Sequence, residues 1–135
     1  MDLSKGLYVE NHGFLIPWGI SQEEAWKIGN PVPTSLSEDR SRITWKDCVC
    51  LNGFKGDICV WFEKPKLYRI LVVYKNSATE AGQTKEMALH GDKIWGPRNS
   101  NKYQWAIDNI EICVCADERF VTAYWYEIIN RRFTK

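Results

Sequence analysis

The chain has 135 residues, a formal net charge of +1, 44% hydrophobic and 26% charged side chains. That composition excludes a disordered polymer and suits a single domain over residues 1–135. The longest basic run is Arg131-Arg132 and no apolar run nears the roughly 20 residues of a spanning helix, so neither a nucleic-acid nor a membrane partner is expected.

In chain order, Leu7-Tyr8-Val9 and Phe14-Leu15-Ile16 read as short strands around an Asn11-His12-Gly13 turn. Ser21-Gln22-Glu23-Glu24 has the form of a capping box, a hydroxyl N-cap with a Glu three residues on, and opens a short helix through Ala25, Trp26 and Ile28. Gly29 and Pro31 end it, and residues 30 to 41 read as loop. Three strands follow, over Arg42 to Leu51, Asp57 to Glu63 and Leu67 to Lys75, with a turn beginning at Asn52-Gly53. Residues 76 to 83 are polar. Thr84 to Trp95 reads as a second helix, weakened by Gly91 and stopped by Gly96-Pro97. The last strands are Tyr103 to Ile107, Glu111 to Cys115 and Arg119 to Ile129. This order predicts an α+β fold, a mainly antiparallel sheet with two short helices on one face.

Three anchors recur. Lys27-Ile28-Gly29-Asn30-Pro31 is echoed by Lys93-Ile94-Trp95-Gly96-Pro97, Cys48-Val49-Cys50 by Cys113-Val114-Cys115, and Val60-Trp61-Phe62-Glu63 by Tyr124-Trp125-Tyr126-Glu127. They predict a tandem helix-plus-three-strand repeat, with copies at about 18–75 and 82–129. Alternation makes one consequence specific. If Ile43/Trp45/Val49/Leu51, Ile58/Val60/Phe62 and Ile110/Ile112/Val114 face the helices, all five Cys fall on the other face, with Trp61, Trp125, Lys46, Arg69, Glu111, Arg119 and Glu127. That mixed aromatic and charged face has the composition of a recognition surface, unless another part of the chain covers it.

Catalytic groups are sparse. The two His, His12 and His90, have no nucleophile motif beside them, and nothing in the chain requires an enzyme. Cys-Val-Cys in a strand does not converge like a zinc knuckle, so no metal and no cofactor are expected; a cross-strand cluster of Cys48, Cys50, Cys59, Cys113 and Cys115 is the one conceivable site. The same spacing is too wide for an unstrained disulfide. The acidic pairs Glu23/Glu24, Glu38/Asp39 and Asp117/Glu118 read as a helix start, a loop and a hairpin tip. An odd Cys count and an opening segment without a charged-then-apolar pattern give the expectation of a cytoplasmic protein.

The segment Trp18-Gly19-Ile20-Ser21-Gln22-Glu23-Glu24-Ala25-Trp26-Lys27-Ile28-Gly29-Asn30-Pro31 resembles the Gly-hydrophobic-Ser/Thr-x-x-Glu…Gly-x-Pro helix of the β-lactamase-inhibitor-protein and small outer-membrane-lipoprotein superfamily. The resemblance implies a helix leading into three antiparallel strands, used twice. The second helix lacks the Ser-x-x-Glu box. As a whole, a short aromatic-rich α+β chain without an active site also resembles the small immunity proteins of bacterial toxin systems such as contact-dependent growth inhibition. Both resemblances imply inhibition through a protein–protein interface, in which the chain occludes the active site of a cognate toxin domain. The candidate anchors are Trp61, Arg69, Arg119, Tyr124 and Trp125, with Asp117 and Glu118 for a basic partner. Two other readings stand beside this one: a small enzyme or ligand-binding protein using His12 or a Cys, and a structural homodimer joined through the Cys-bearing faces.

Overall fold

The structure is a computed structural model, and it describes residues 2–34, 39–74, 83–99, 102–117 and 123–134. Nine strands and two helices lie among them: β1 (Gly6–Val9), β2 (Phe14–Pro17), α1 (Gln22–Trp26), β3 (Val32–Pro33), β4 (Arg42–Cys50), β5 (Phe54–Trp61), β6 (Arg69–Tyr74), α2 (Gln83–Trp95), β7 (Gln104–Ile107), β8 (Ile110–Asp117) and β9 (Ala123–Asn130). A 3-10 turn, Arg131–Phe133, follows β9. The fold is α+β and its strand pairings are antiparallel. β1 and β2 form a hairpin, and the others form one sheet in the order β3-β4-β5-β6-β9-β8-β7.

The inner face of that sheet carries Ile43, Trp45, Ile58, Val60, Ile70, Val72, Tyr126, Ile128, Ile112 and Trp105, all buried. Each lies opposite another of the set across the ladders. The hairpin adds Leu7, Val9 and Ile16, α1 adds Ala25, and α2 adds Met87 and Ala88 to the same core. At 1.5–3 kcal/mol per buried side chain, roughly, this one-sided core is the main source of stability.

The local rules in the sequence operate as read. The Ser21 hydroxyl accepts from the Glu24 backbone N–H at 3.2 Å, and the Glu24 carboxylate accepts from Ser21 N–H at 3.1 Å. That completes the capping box and holds the Glu24 carboxyl below its usual range. Trp45 Nε1 donates to Ile28 O at 2.8 Å, which ties the segment after α1 to the sheet. Residues 30 to 41 are not wholly loop, since Val32 and Pro33 pair with Thr44 and Ile43 as a two-residue edge strand. Part of the last expected strand, Arg119 to Thr122, lies outside the described residues.

A β-bulge overturns the expectation that the five Cys share one face. The β4–β5 register shifts between Trp45 and Cys48, around Asp47, which takes the left-handed φ of 54°. Asp47 N–H donates to Asp57 Oδ1 at 2.9 Å, and Asn11 Nδ2 donates to Asp47 O at 2.9 Å, so the irregularity is held from both sides. One extra residue inverts the alternation beyond it. Cys48 and Cys50 therefore join Ile43 and Trp45 on the inner face and are buried, while Val49 turns outward. Cys59, Cys113 and Cys115 keep the expected outer side.

The tandem repeat is not confirmed. Among the described residues four strands lie between α1 and α2 and three follow α2. β5 and β9 both run antiparallel to β6, hence parallel to each other, while β4 and β8 lie on opposite flanks of them. Only a rotation about the strand direction would exchange those flanks, and it would put α1 and α2 on opposite faces. Both helices pack into one core on one face. The echoed triplets also differ in environment, Cys48 and Cys50 inward and Cys113 and Cys115 outward.

Gly91, read as a weakness of the second helix, is a packing site. A Cβ there would stand 2.3 Å from the Trp105 ring atoms Cη2 and Cζ2. Gly91→Ala should therefore destabilise the protein by about 1–3 kcal/mol through overpacking, although Ala in an open helix would gain about 1 kcal/mol. Urea unfolding checks the sign; a raised midpoint would mean that the Trp105 ring yields freely.

Candidate functional site

With the helices and the hairpin packed on the inner face, the outer face of the sheet has no secondary-structure layer over it among the described residues. The pairing register lays its side chains in rows across the strands. One row runs Arg42, Trp61, Arg69, Ile129, Glu111, Ala106; the next runs Thr44, Cys59, Leu71, Glu127, Cys113, Gln104; a third includes Asp57, Val73, Trp125 and Cys115.

The first row is organised around the Trp61 indole, which is 40% exposed. Arg42 stacks over it with Cζ 4.2 Å from the ring centroid, and Arg69 approaches to 5.9 Å. Cation–π contacts of this kind each contribute about 0.5–1 kcal/mol at exposed sites. They also hold a large apolar ring upright on the face. Arg69 is fixed further by Glu63, at 2.5 Å. At the far end of the row Arg131 pairs with Glu111 at 2.7 Å, which keeps that carboxyl below its usual range. Both partners there are about half exposed, so the pair orders the surface more than it stabilises the fold.

The centre of the face is apolar and half-buried: Leu71, Val73, Trp125 and Ile129, with Cys59, Cys113 and Cys115 among them. The Trp125 indole N–H has no hydrogen-bond partner among the described residues. Glu127 stands in the middle, opposite Leu71 on one side and Cys113 on the other. Beside it a groove of ≈ 440 Å³ is lined in part by Gln104, Glu111, Cys113, Glu127 and Arg131.

The anchors expected from the sequence divide. Trp61, Arg69 and Trp125 share the outer face as anticipated. Tyr124 does not: opposite Ala116 it faces the core and is only 5% exposed, because its neighbour Trp125 takes the outward position in the alternation. Asp117 pairs through its backbone with Ala123 at the end of β8, and Glu118 and Arg119 lie outside the described residues. Arg42, Leu71, Val73 and Ile129 were not singled out as anchors. Their signal was present for Arg42, which shares the strand parity of the outer face with Thr44.

The groups weighed for catalysis take structural positions. His90 Nε2 lies 2.7 Å from Leu51 O, and a carbonyl only accepts, so this nitrogen carries the proton and donates. His12 stacks on Phe14 with centroids 6.2 Å apart. An open depression of ≈ 310 Å³ contains both His12 and Cys48. The Cys48 thiol, however, donates to Trp45 O at 3.4 Å. Burial, reinforced by Asp57 and Asp47, pushes it up to about 11, so it is a poor nucleophile near neutrality. No group of three or more metal-ligating side chains forms among the described residues. No helix among them is long and apolar enough to cross a membrane. Comparison with family models, characterised proteins and solved structures finds no match for this chain.

Thiol reactivity should follow this layout. At pH 8 roughly a thousandth of Cys48 is thiolate, and the equally buried Cys50 is pushed up further. The hydrogen bond with Cys115 holds Cys113 below the usual thiol range, so iodoacetamide should reach Cys113 first and Cys48 and Cys50 last, as mapped by peptide mass spectrometry; equal rates for all five would contradict the assignment of faces. The sign for stability is the converse. A thiol raised in the folded state from 9.0 to about 11 leaves stability intact below pH 9.0 and erodes it as pH climbs through that interval, since the unfolded thiol ionises first. A Cys48→Ala variant should show a shallower alkaline decline in its urea midpoint.

Proposed function

We propose that the chain is a protein-binding inhibitor of the immunity type, which neutralises a cognate toxin domain by laying the outer face of its sheet over that domain's active site. One observation carries the reading: the side of the sheet away from the core presents Trp61 stacked by Arg42 and Arg69, next to half-buried Leu71, Val73, Trp125 and Ile129. Trp and Arg are the residue types that dominate binding hot spots, and a central apolar cluster inside a charged rim is the usual anatomy of an interface. Seven strands about 4.8 Å apart span about 29 Å, enough for a standard interface of about 800 Å² per partner. Charge on the face is mixed, with Arg42, Arg69 and Arg131 alongside Glu63, Glu111 and Glu127, which suits a protein partner better than a polyanion. The acids around the centre suit a partner with basic groups at its cleft.

The enzyme reading has one observation in its favour, the depression shared by His12 and Cys48, and the inert environment of that thiol weighs against it. A homodimer through the outer faces uses the same surface and differs only in the identity of the partner.

Co-expression with the product of the adjacent reading frame tests the proposal. The intact chain should co-purify with that product and protect cells from it. Trp61→Ala and Trp125→Ala should each cost about 2 kcal/mol of binding, or roughly 30-fold in Kd by calorimetry, with circular dichroism unchanged. A chain that neither binds nor protects would sink the inhibitor reading. A solution mass of twice 15.8 kDa that reverts in the Trp61→Ala variant would instead select the homodimer.

A further inference from the structure

The two Cys-Val-Cys triplets look alike in sequence and are opposite in chemistry. Cys48 and Cys50 are sealed in the core, at 1% and 0% exposure. Cys113 and Cys115 stand half-buried on the outer face, with their Sγ atoms 3.3 Å apart. Residues i and i+2 of a strand share a face with Cα atoms about 6.5–7 Å apart, at or beyond the upper limit of disulfide geometry. β8 cannot contract to relieve that span, because Cys113 pairs with Gln104 on one side and Glu127 on the other, and Cys115 pairs with Trp125. The two thiols lean together without being able to close to a bond of about 2.05 Å unstrained. An atom held between them needs no such closure.

We propose that Cys113 and Cys115 form a two-thiol chelating site for a soft, thiophilic ion, with trivalent arsenic the ion its spacing fits best. A tetrahedral centre with metal–sulfur bonds of about 2.3 Å sets its thiolates about 3.8 Å apart. At 3.3 Å the angle at the ion falls to near a right angle, as in a pyramidal three-coordinate centre. The third bond of such a centre points off the sheet, where no secondary-structure element covers the face among the described residues. The absence of a third converging ligand among those residues disfavours zinc, which takes four ligands in structural sites. Soft thiolates select soft ions. The pair is also primed for stepwise deprotonation. Either thiol can donate across the 3.3 Å contact; that shared bond holds Cys113 below its usual range, while the same bond and burial hold Cys115 above. With an organic arsenoxide the step balances without redox change: the As=O oxygen leaves as one water with the two thiol protons, and two As–S bonds form. The site needs two thiols and no bound protein, so it stands apart from the partner reading.

The probe is phenylarsine oxide on the phosphine-reduced full chain. Intact mass should show one phenylarsine oxide added with one water lost, and the adduct should survive excess glutathione, a monothiol, yet be released by dithiothreitol. Cys113→Ser and Cys115→Ser should each retain the arsenical roughly a hundredfold less well, because the second sulfur acts intramolecularly, and Cys59→Ser should retain it fully. In the unmutated protein the arsenical should shield Cys113 and Cys115 together from iodoacetamide, a readout independent of whether any variant folds. Adducts that glutathione strips, adducts that persist in both Cys→Ser variants, or ready closure to a Cys113–Cys115 disulfide by oxidised glutathione with no arsenical retained, would each overturn the assignment.

Discussion

The pairing of β6 with β9 is the constraint on which the molecule depends. It joins Arg69–Tyr74 to a strand that begins about fifty residues later, in the register Arg69↔Ile129 to Val73↔Trp125. Through it two local sheets, β3-β4-β5-β6 and β9-β8-β7, become one. That register places Ile70 against Ile128 and Val72 against Tyr126, so the apolar faces of the two halves coincide. A slip of one residue would turn the inner face of one half outward and break the core in two. The aromatic cluster beneath α2 depends on the same alignment. Phe54 from β5 meets Tyr126 from β9 at 4.9 Å, Trp95 packs on both Tyr126 and Trp105, and the buried Tyr126 hydroxyl donates to Met87 O.

Coverage on one side only follows from this arrangement. Among the described residues a hairpin, a one-and-a-half-turn helix and a three-and-a-half-turn helix lie against a sheet of seven strands, all on one face. The outer face keeps its apolar residues half-buried and has its Trp61 indole ordered by flanking guanidinium groups rather than by burial. The surface proposed as the interface is thus the complement of the core, defined by what the core leaves over.

The strands and helices were largely legible. Alternation, the Ser21 capping box and the Gly and Pro stops located the longer elements, and the hairpin of β1 and β2 was marked by its Asn11-His12-Gly13 turn. These signals are local, and local hydrogen bonding and side-chain periodicity set them. What misled was symmetry. The echo of Cys48-Val49-Cys50 by Cys113-Val114-Cys115 is real in letters, but letters carry no phase relative to the core. One left-handed residue, Asp47, held by Asp57 and Asn11, inverts that phase in β4, and no local pattern marks it. The same blindness to phase made Tyr124 an anchor when its ring faces inward, and made Gly91 a flaw when it is the seat of Trp105.

By itself the amino-acid sequence determined the class of fold, the order of its elements and the outward parity shared by Trp61, Arg69 and Trp125, because each of these is set by neighbours within a few residues. The tertiary structure alone decided the strand order, the split of the cysteines between core and surface, the arginine stack on Trp61 and the 3.3 Å approach of the Cys113 and Cys115 sulfurs. The first three depend on which distant strand lies alongside and in what register, and the last on the rotamers that the flanking strands allow.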